Sequence, residues 1–219
     1  METKKLSNFL KTLKANNNKD FFTQHKSNYE YLRDQFIDLI KDIIFDINKF
    51  DKKLGIIEPK NCIFRINRDL RFSKDKSPYK TKFSAQFTNN RKQMDLPTYY
   101  FHIDENNMLL VGGGLYEISK EKLENFREKI LSYPEDFEEI IYNKEINKVF
   151  GGLNETNSLK KAPHGYDQNN SMIKYLKLRS YHLSKEISLD KIPDSELENL
   201  IIEHFKIIYP LIEWIRKSY

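Results

Sequence analysis

Cations, hydroxyls and carboxylates are concentrated between residues 64 and 80, the part of the sequence best suited to chemistry. Arginines occupy three closely spaced positions there, Arg65, Arg68 and Arg71. A guanidinium group binds the paired oxygens of a phosphate or carboxylate in a fork geometry that a lysine ammonium lacks. Residues 60–82 contain eight Lys or Arg against two Asp, a local charge of +6, whereas the whole chain carries +5. The sequence therefore predicts a local anion site rather than a uniformly basic surface.

Other polar side chains complete the predicted site. We expect Asp69 and Asp75 to orient the guanidinium groups, as carboxylates behind a binding site commonly do. His102 stands between two apolar residues in a predicted strand and should face the wetter side of the sheet, as Arg65 does. Arg179 lies in a later predicted strand. The residues predicted to bind the anion are Arg65, Arg68, Asp69, Arg71, Ser73, Lys76, Tyr79, Lys80, His102 and Arg179.

The leading hypothesis for this site is binding of a phosphate- or carboxylate-bearing small molecule, and two alternatives fit the same residues. The first is a nucleic-acid-binding module in which Phe72 or Tyr79 stacks on a base. Its phosphate contacts would come from Arg65, Arg68, Arg71, Lys74, Lys76, Lys80 and Lys82. The second is an interaction or structural protein whose arginines pair internally with Asp69, Asp75 and helix carboxylates. The sequence leaves open whether a reaction follows binding, and it assigns no oligomeric state.

The sequence lacks recognised catalytic and metal-binding signatures. Its five histidines are scattered without a paired spacing, and its single cysteine, Cys62, lies in an apolar run typical of a buried side chain. The three glycines from Gly112 lack the Lys-Ser/Thr of a phosphate-binding P-loop, so we interpret them as permitting close backbone approach. For the basic loop at residues 159–167 we favour a solvated turn over an extension of the anion site. The sequence identifies no cofactor and predicts no metal.

Hydrophobic periodicity predicts helices near both ends of the chain and strands between them. Apolar residues recur every three or four positions from Asp20 to Phe50 and from Asp194 to Ile215, as in long amphipathic helices. Turn residues at 104–107 predict an antiparallel hairpin. The predicted strands cover residues 62–66, 82–87, 98–103 and 108–111, with another around residues 179–183. We predict an α+β fold, in which a mainly antiparallel sheet packs against the long N-terminal and C-terminal helices, in a single domain over residues 1–219.

Composition favours a folded protein in a reducing compartment. The 219 residues are 39% hydrophobic, with seven Gly and seven Pro, which is compatible with one large globular domain. The first residues lack the apolar stretch of a signal peptide, and nowhere do about 18 uncharged apolar residues follow one another. We therefore expect a cytoplasmic protein that does not span a membrane.

Several motifs together resemble an uncharacterised family, domain of unknown function 2461. They are Phe-Arg-x-x-Arg-Asp-x-Arg-Phe-Ser-x-Asp-Lys-x-Pro-Tyr-Lys at 64–80, the Phe9 to Phe22 segment with its three asparagines, Tyr-Tyr-Phe-His-Ile at 99–103, Gly-Gly-Gly-Leu-Tyr at 112–116 and Leu-Lys-Lys-Ala-Pro-His-Gly-Tyr-Asp at 159–167. The resemblance covers nearly the whole chain and implies a single-domain, soluble protein of bacterial or fungal type. It implies no reaction, cofactor or catalytic residue. Phe22 departs from the family pattern, in which we expect Trp.

Overall fold

The computed structural model describes residues 1–88 and 96–218. These residues form a four-stranded antiparallel sheet with strand order β1-β2-β3-β4, and their helices precede β1, separate β3 from β4 and follow β4. The helices are α1 (Thr3–Ala15), α2 (Lys19–Gln24), α3 (Lys26–Phe50), α4 (Pro59–Cys62), α5 (Lys120–Ser132), α6 (Pro134–Ile141), α7 (Lys144–Phe150), α8 (Ile173–Leu176) and α9 (Leu197–Arg216). The strands are β1 (Lys82–Phe87), β2 (Thr98–Asp104), β3 (Met108–Leu115) and β4 (Tyr181–Ser188). The predicted α+β class is confirmed.

The described residues fall into two compact units. The first unit takes residues 1–88, 100–111 and 186–203, and the second takes residues 96–99, 112–185 and 204–218. Strands β2, β3 and β4 each contribute residues to both units. The single domain over residues 1–219 stays a prediction.

In the first unit, α3 packs its apolar stripe against the sheet. The ring of Phe36 lies 5.4 Å from that of Phe83 on β1 and 5.5 Å from that of Phe101 on β2. The helix predicted from Asp20 to Phe50 is divided at His25, whose φ of −105° and ψ of 14° end α2 and begin α3. The division leaves the apolar stripe of the longer helix intact, so the predicted core contact is confirmed.

The predicted hairpin between β2 and β3 is also confirmed. The Asp104 carboxylate accepts hydrogen bonds from the backbone N–H groups of Asn106 at 2.9 Å and Met108 at 3.0 Å. Asn107 adopts a φ of 57°, a left-handed conformation that asparagine tolerates better than most residues. Residues 104–107 therefore form the turn that the sequence predicted.

The strand predicted at residues 62–66 is wrong. Pro59 begins the short helix α4, which takes Cys62, and proline is well suited to the first helical position. After it, Ile63 forms one isolated bridge with Ala85, and Asn67 forms another with Tyr79. Residues 63–67 thus pair first with β1 and then, within a few residues, with residues 78–80. No continuous β-ladder forms as a result. We call residues 67–79, which the second bridge closes, the Arg-rich loop.

In the second unit, the part of α9 from residue 204 onward packs against the start of β2. The ring of Phe205 lies 5.0 Å from that of Tyr99 at the start of β2. Pro210 lies inside α9, and the helix continues beyond it to Arg216. The late strand predicted around residues 179–183 exists as β4 but begins two residues later, at Tyr181.

Candidate anion-binding loop

Two backbone hydrogen bonds and one side chain fix the base of the Arg-rich loop. The N–H of Arg68 donates to the carbonyl of Pro78 at 2.9 Å, and the N–H of Lys80 donates to the carbonyl of Ile66 at 2.8 Å. The Asn17 side chain accepts from the Tyr79 N–H at 3.0 Å and donates to the Tyr79 carbonyl at 2.9 Å. The loop is therefore tied at its base to residues far away in the sequence.

Tyr79 anchors the end of the loop through its ring as well. The ring stacks on that of Phe22, with centroids 4.1 Å apart and planes 16° from parallel, and only 8% of the residue is exposed. An aromatic residue at position 22 supplies this contact, which explains why phenylalanine serves there in place of tryptophan. The contact of Tyr79 with a ligand stays a prediction.

Arg68 belongs to a hydrogen-bonded cluster inside the loop. Its guanidinium group donates to the Asp75 carboxylate and, at 3.1 Å, to Ser73 Oγ. Asp75 also accepts from the N–H of Ser77 at 2.9 Å and from its hydroxyl at 2.6 Å. These hydrogen bonds, those of Ser77 first and that of Arg68 next, hold the pKa of the Asp75 carboxyl far below its usual range. The Arg68 side chain is 26% exposed.

Arg71 forms a two-pronged pair with Asp69. Its Nε and Nη2 atoms lie 3.0 and 2.7 Å from the two carboxylate oxygens. This pairing lowers the pKa of Asp69 and raises that of Arg71. Each loop carboxylate thus pairs with an arginine, an arrangement that both the anion-site hypothesis and the structural alternative predict. The Arg71 side chain is nevertheless 78% exposed, so the pair lies in solvent rather than in a core.

The tip of the loop presents an aromatic ring among cations. Phe72 is 94% exposed, and the Arg71 guanidinium carbon lies 6.0 Å from the centre of its ring. Lys74 and Lys76 are exposed on the same segment, and Lys76 Nζ donates to the carbonyl of Leu70 at 3.1 Å. Apolar and positive groups therefore face solvent side by side.

The remaining predicted cations of this region lie at the base of the loop. Arg65 precedes it and is exposed. Lys80 follows it, and its Nζ lies 5.3 Å from the centre of the Phe64 ring. Their ligand contacts stay predictions.

His102 lies on the opposite face of β2 from its buried neighbours, as the alternation predicted. Its Nδ1 atom lies 3.0 Å from the hydroxyl of Tyr100. Burial, with a smaller contribution from the charge of Lys82, lowers the pKa of His102 to about 4. The imidazole is therefore neutral at pH 7 and offers an anion a hydrogen bond but no full charge.

The structure assigns the ten predicted ligand residues to different units. Nine lie in the first unit, eight of them in or beside the Arg-rich loop and His102 on β2. Arg179 lies in the second unit, where it is exposed and its N–H donates to the carbonyl of Asn157 at 2.9 Å. Sequence reasoning missed Asn17, which it counted only among the three asparagines of the Phe9 to Phe22 segment. The run of three asparagines was the available signal, because asparagine side chains commonly bond to backbone groups.

The fold and the loop define an α+β protein with a basic segment whose tip is aromatic. The chain belongs to the family described as conserved hypothetical protein (DUF2461), which matches residues 5–214. The resemblance seen in the sequence motifs is therefore confirmed. Searches of curated proteins and of solved structures found no match.

Two further observations concern membrane-spanning helices and metal-binding groups. In the described part of the chain, no helix combines the length and apolar character needed to cross a bilayer. Among residues 1–88 and 96–218, no three or more His, Cys, Asp or Glu side chains are grouped so that they could hold a metal ion.

Proposed function

We propose that this protein binds single-stranded nucleic acid through the Arg-rich loop. In this interaction Phe72 stacks on a base, while the neighbouring cations contact backbone phosphates. The exposed ring of Phe72 carries the proposal. Burying a phenylalanine side chain is worth about 1.5–3 kcal/mol, so a ring held in solvent has much to gain from a partner with a flat apolar face. Stacking between a base and an aromatic ring contributes about 1–3 kcal/mol per base.

The charge arrangement favours a polyanion over a compact anion. Arg68 and Arg71 already bond to carboxylates, so a small anion must compete with Asp75 or Asp69 for the guanidinium groups. A polynucleotide gains from the total charge of the segment, +6 over residues 60–82, without displacing either carboxylate. The Arg71–Asp69 pair lies in solvent, with the arginine side chain 78% exposed, and this fits poorly with a purely structural role, for which the pair should be buried.

Fluorescence anisotropy with labelled single-stranded oligonucleotides tests the proposal. Oligonucleotides of about 15 nucleotides cover the usual site sizes. We expect Phe72→Ala to weaken binding by roughly five- to a hundredfold, the equivalent of one stacked base. Phe45→Ala is the matched control, because Phe45 is also exposed, at 67%, and Lys49 Nζ lies 4.5 Å from the centre of its ring. The control should bind like the unaltered protein.

The dependence of affinity on salt concentration separates the phosphate contacts from the stacking of a base on Phe72. Binding through phosphates weakens steeply between low and moderate salt. Absent binding at both ionic strengths contradicts the proposal. Equal affinity for duplex and single-stranded DNA, together with no effect of Phe72→Ala, contradicts the stacking contact and leaves only charge attraction.

A phosphate- or carboxylate-bearing small molecule is the second candidate, favoured by the geometry of Arg68. Its partly buried guanidinium group lies 3.1 Å from the hydroxyl of Ser73, so the two polar groups are already adjacent. A set of anionic metabolites should then include at least one that raises the melting temperature saturably, and Arg68→Ala should abolish that rise. A flat response to every compound counts against this candidate.

A further inference from the structure

A cleft between the N-terminal helices of the first unit is separate from the Arg-rich loop. Its volume is about 400 Å³, within the range of 300–1,000 Å³ typical of small-ligand sites. It lies between α1 on one side and α2 with the start of α3 on the other. The lining residues are Lys5, Asn8, Phe9, Thr12, Phe21, His25 and Asn28.

One wall of the cleft is a fixed aromatic surface. The ring of Phe21 stacks on the imidazole of His25, with centroids 4.0 Å apart and planes 20° from parallel. His25 Nδ1 lies 2.9 Å from the carbonyl oxygen of Phe21, and this hydrogen bond holds the imidazole in place. Phe9, 4% exposed, supplies further apolar surface. A flat ring entering the cleft therefore meets a surface that is already ordered.

The remaining lining is polar and suited to the edge of a heterocycle. Asn8 and Asn28 each carry a carboxamide, which can donate and accept at once. Neither carboxamide is bonded to another of the described residues. The hydroxyl of Thr12 donates to the carbonyl of Asn8 at 2.9 Å and keeps its capacity to accept. Carboxamides recognise adenine by pairing with its adjacent donor and acceptor.

A cation lies at the rim of the cleft. The ammonium group of Lys5 is 3.2 Å from a carboxylate oxygen of Glu2 and 4.1 Å from the centre of the Tyr31 ring. These contacts are exposed, where an ion pair contributes little and exchanges readily for another anion. Lys5 can therefore contact a phosphate group attached to a ring bound in the cleft.

We infer that this cleft binds a nucleotide. The base stacks on the Phe21–His25 surface, Asn8 and Asn28 bond to its edge, and Lys5 contacts its phosphate. The choice of a nucleotide as ligand rests in part on the proposed function, but the cleft and the Arg-rich loop share no residue. Consecutive residues of α2 serve the two sites, since Phe21 lines the cleft and Phe22 stacks on Tyr79.

Titration of the full chain with adenosine 5′-monophosphate tests the inference. Calorimetry should show saturable binding, and saturation-transfer NMR should show the strongest transfer to the adenine protons. We expect Phe21→Leu to weaken binding by roughly five- to a hundredfold, because leucine fills the space but cannot stack on a base. Asn28→Ala should reduce the preference for adenosine over uridine monophosphate. Phe72→Ala, in the Arg-rich loop, should leave the affinity for the mononucleotide unchanged.

Three results would overturn the inference. They are the absence of saturable binding by the folded protein, equal affinity for ribose 5-phosphate, and an unchanged affinity in a Phe21→Leu variant whose circular dichroism shows that it is folded. The two proposals fail separately. Loss of the oligonucleotide interaction with retained mononucleotide binding rejects the loop alone, and the reverse pattern rejects the cleft alone.

Discussion

The carboxamide of Asn17 binds the backbone of Tyr79 with a donor and an acceptor at once, at 2.9 and 3.0 Å, across 62 residues of sequence. A neighbouring β-strand would supply the same pair of partners. Because Tyr79 closes the Arg-rich loop, one side chain of the segment between α1 and α2 joins the two backbone hydrogen bonds in fixing the base of the predicted binding site.

Replacement of Asn17 by alanine should therefore destabilise the protein. Both backbone groups of Tyr79 lose a partner in a partly buried place, which costs about 2 kcal/mol. Urea unfolding should show a lower midpoint with an unchanged dependence of the unfolding free energy on urea concentration. Asn16→Ala is the control, because Asn16 makes one exposed side-chain bond, to the carbonyl of Thr12 at 3.1 Å. Equal losses in the two variants contradict the anchoring role.

Releasing Arg71 from its carboxylate should strengthen nucleic acid binding. In Asp69→Asn the guanidinium group loses its charged partner and becomes able to contact a phosphate. The slope of log affinity against log salt should then steepen by about 0.7, the value for one added contact to a single strand. Asp34→Asn, on an exposed face of α3, makes the same change of net charge away from the loop and should leave the slope unchanged. Weaker binding by Asp69→Asn would contradict this prediction and would indicate that the Arg71–Asp69 pair stabilises the conformation of the loop.

Local patterns were sufficient to predict much of this fold. The spacing of Phe36, Leu39, Ile43 and Ile47 identified the buried stripe of α3, and Asp104 identified the hairpin turn. Such features depend on residues close in sequence, where helix and turn geometry is fixed by the backbone. The carboxylates beside Arg68 and Arg71 were predictable for the same reason.

The errors arose where distant contacts decide the structure. Residues 62–66 alternate as a strand does, yet the chain changes its partner from Ala85 to Tyr79 and forms only isolated bridges. The anchoring role of Asn17 depends on a residue that no local pattern connects with it. The cleft was missed because its lining comes from three helices, and each contributing residue is ordinary by itself.

Gly114 has a positive φ and lies close to β4, so a side chain at this position should destabilise the protein. Its φ is 118°, and an added Cβ would lie 2.3 Å from the carbonyl oxygen of Tyr181. Gly114→Ala should cost about 3 kcal/mol, combining backbone strain with a clash against main chain. Gly165 has a φ of 86° with no atom within 4 Å of an added Cβ, so Gly165→Ala isolates the backbone strain. Its loss, measured by urea unfolding, should be about 1 kcal/mol. Equal losses contradict the close packing.

A buried arginine in α5 supports the loop at residues 159–167 through Glu124. Arg127 Nε donates to the carbonyl of Leu176 at 2.8 Å, and its Nη1 donates to Glu124 at 2.6 Å. Glu124 also accepts from the hydroxyl of Tyr166 at 3.1 Å. Arg127→Met leaves a buried carbonyl without its donor and should cost about 2–3 kcal/mol in thermal or urea unfolding. Glu124→Gln keeps an acceptor in a more exposed place and should cost under about 1 kcal/mol. A milder effect of Arg127→Met would contradict this support.

The lowered pKa of His102 predicts how stability depends on pH. Its pKa is about 4 in the folded protein and about 6.5 in an unfolded chain. The unfolded state therefore binds more protons between these values, so this contribution is complete above pH 6.5 and is lost as the pH falls through 4. Because the ring is partly exposed, we expect a loss of about 1–2 kcal/mol rather than the full difference. Burial lowers the pKa of His182 in the same direction, so His102→Gln should remove only part of the slope.

Urea unfolding of the protein and of His102→Gln between pH 4 and pH 8 measures this contribution. The difference in unfolding free energy between the two proteins should be constant above about pH 7, because His102 is then neutral in both the folded and the unfolded state. Below that pH the unaltered protein should lose stability faster than the variant. Parallel curves across the whole range would show that His102 is as easily protonated in the folded protein as in the unfolded chain. In that case a protonated His102 offers an anion a positive charge, which a neutral imidazole lacks.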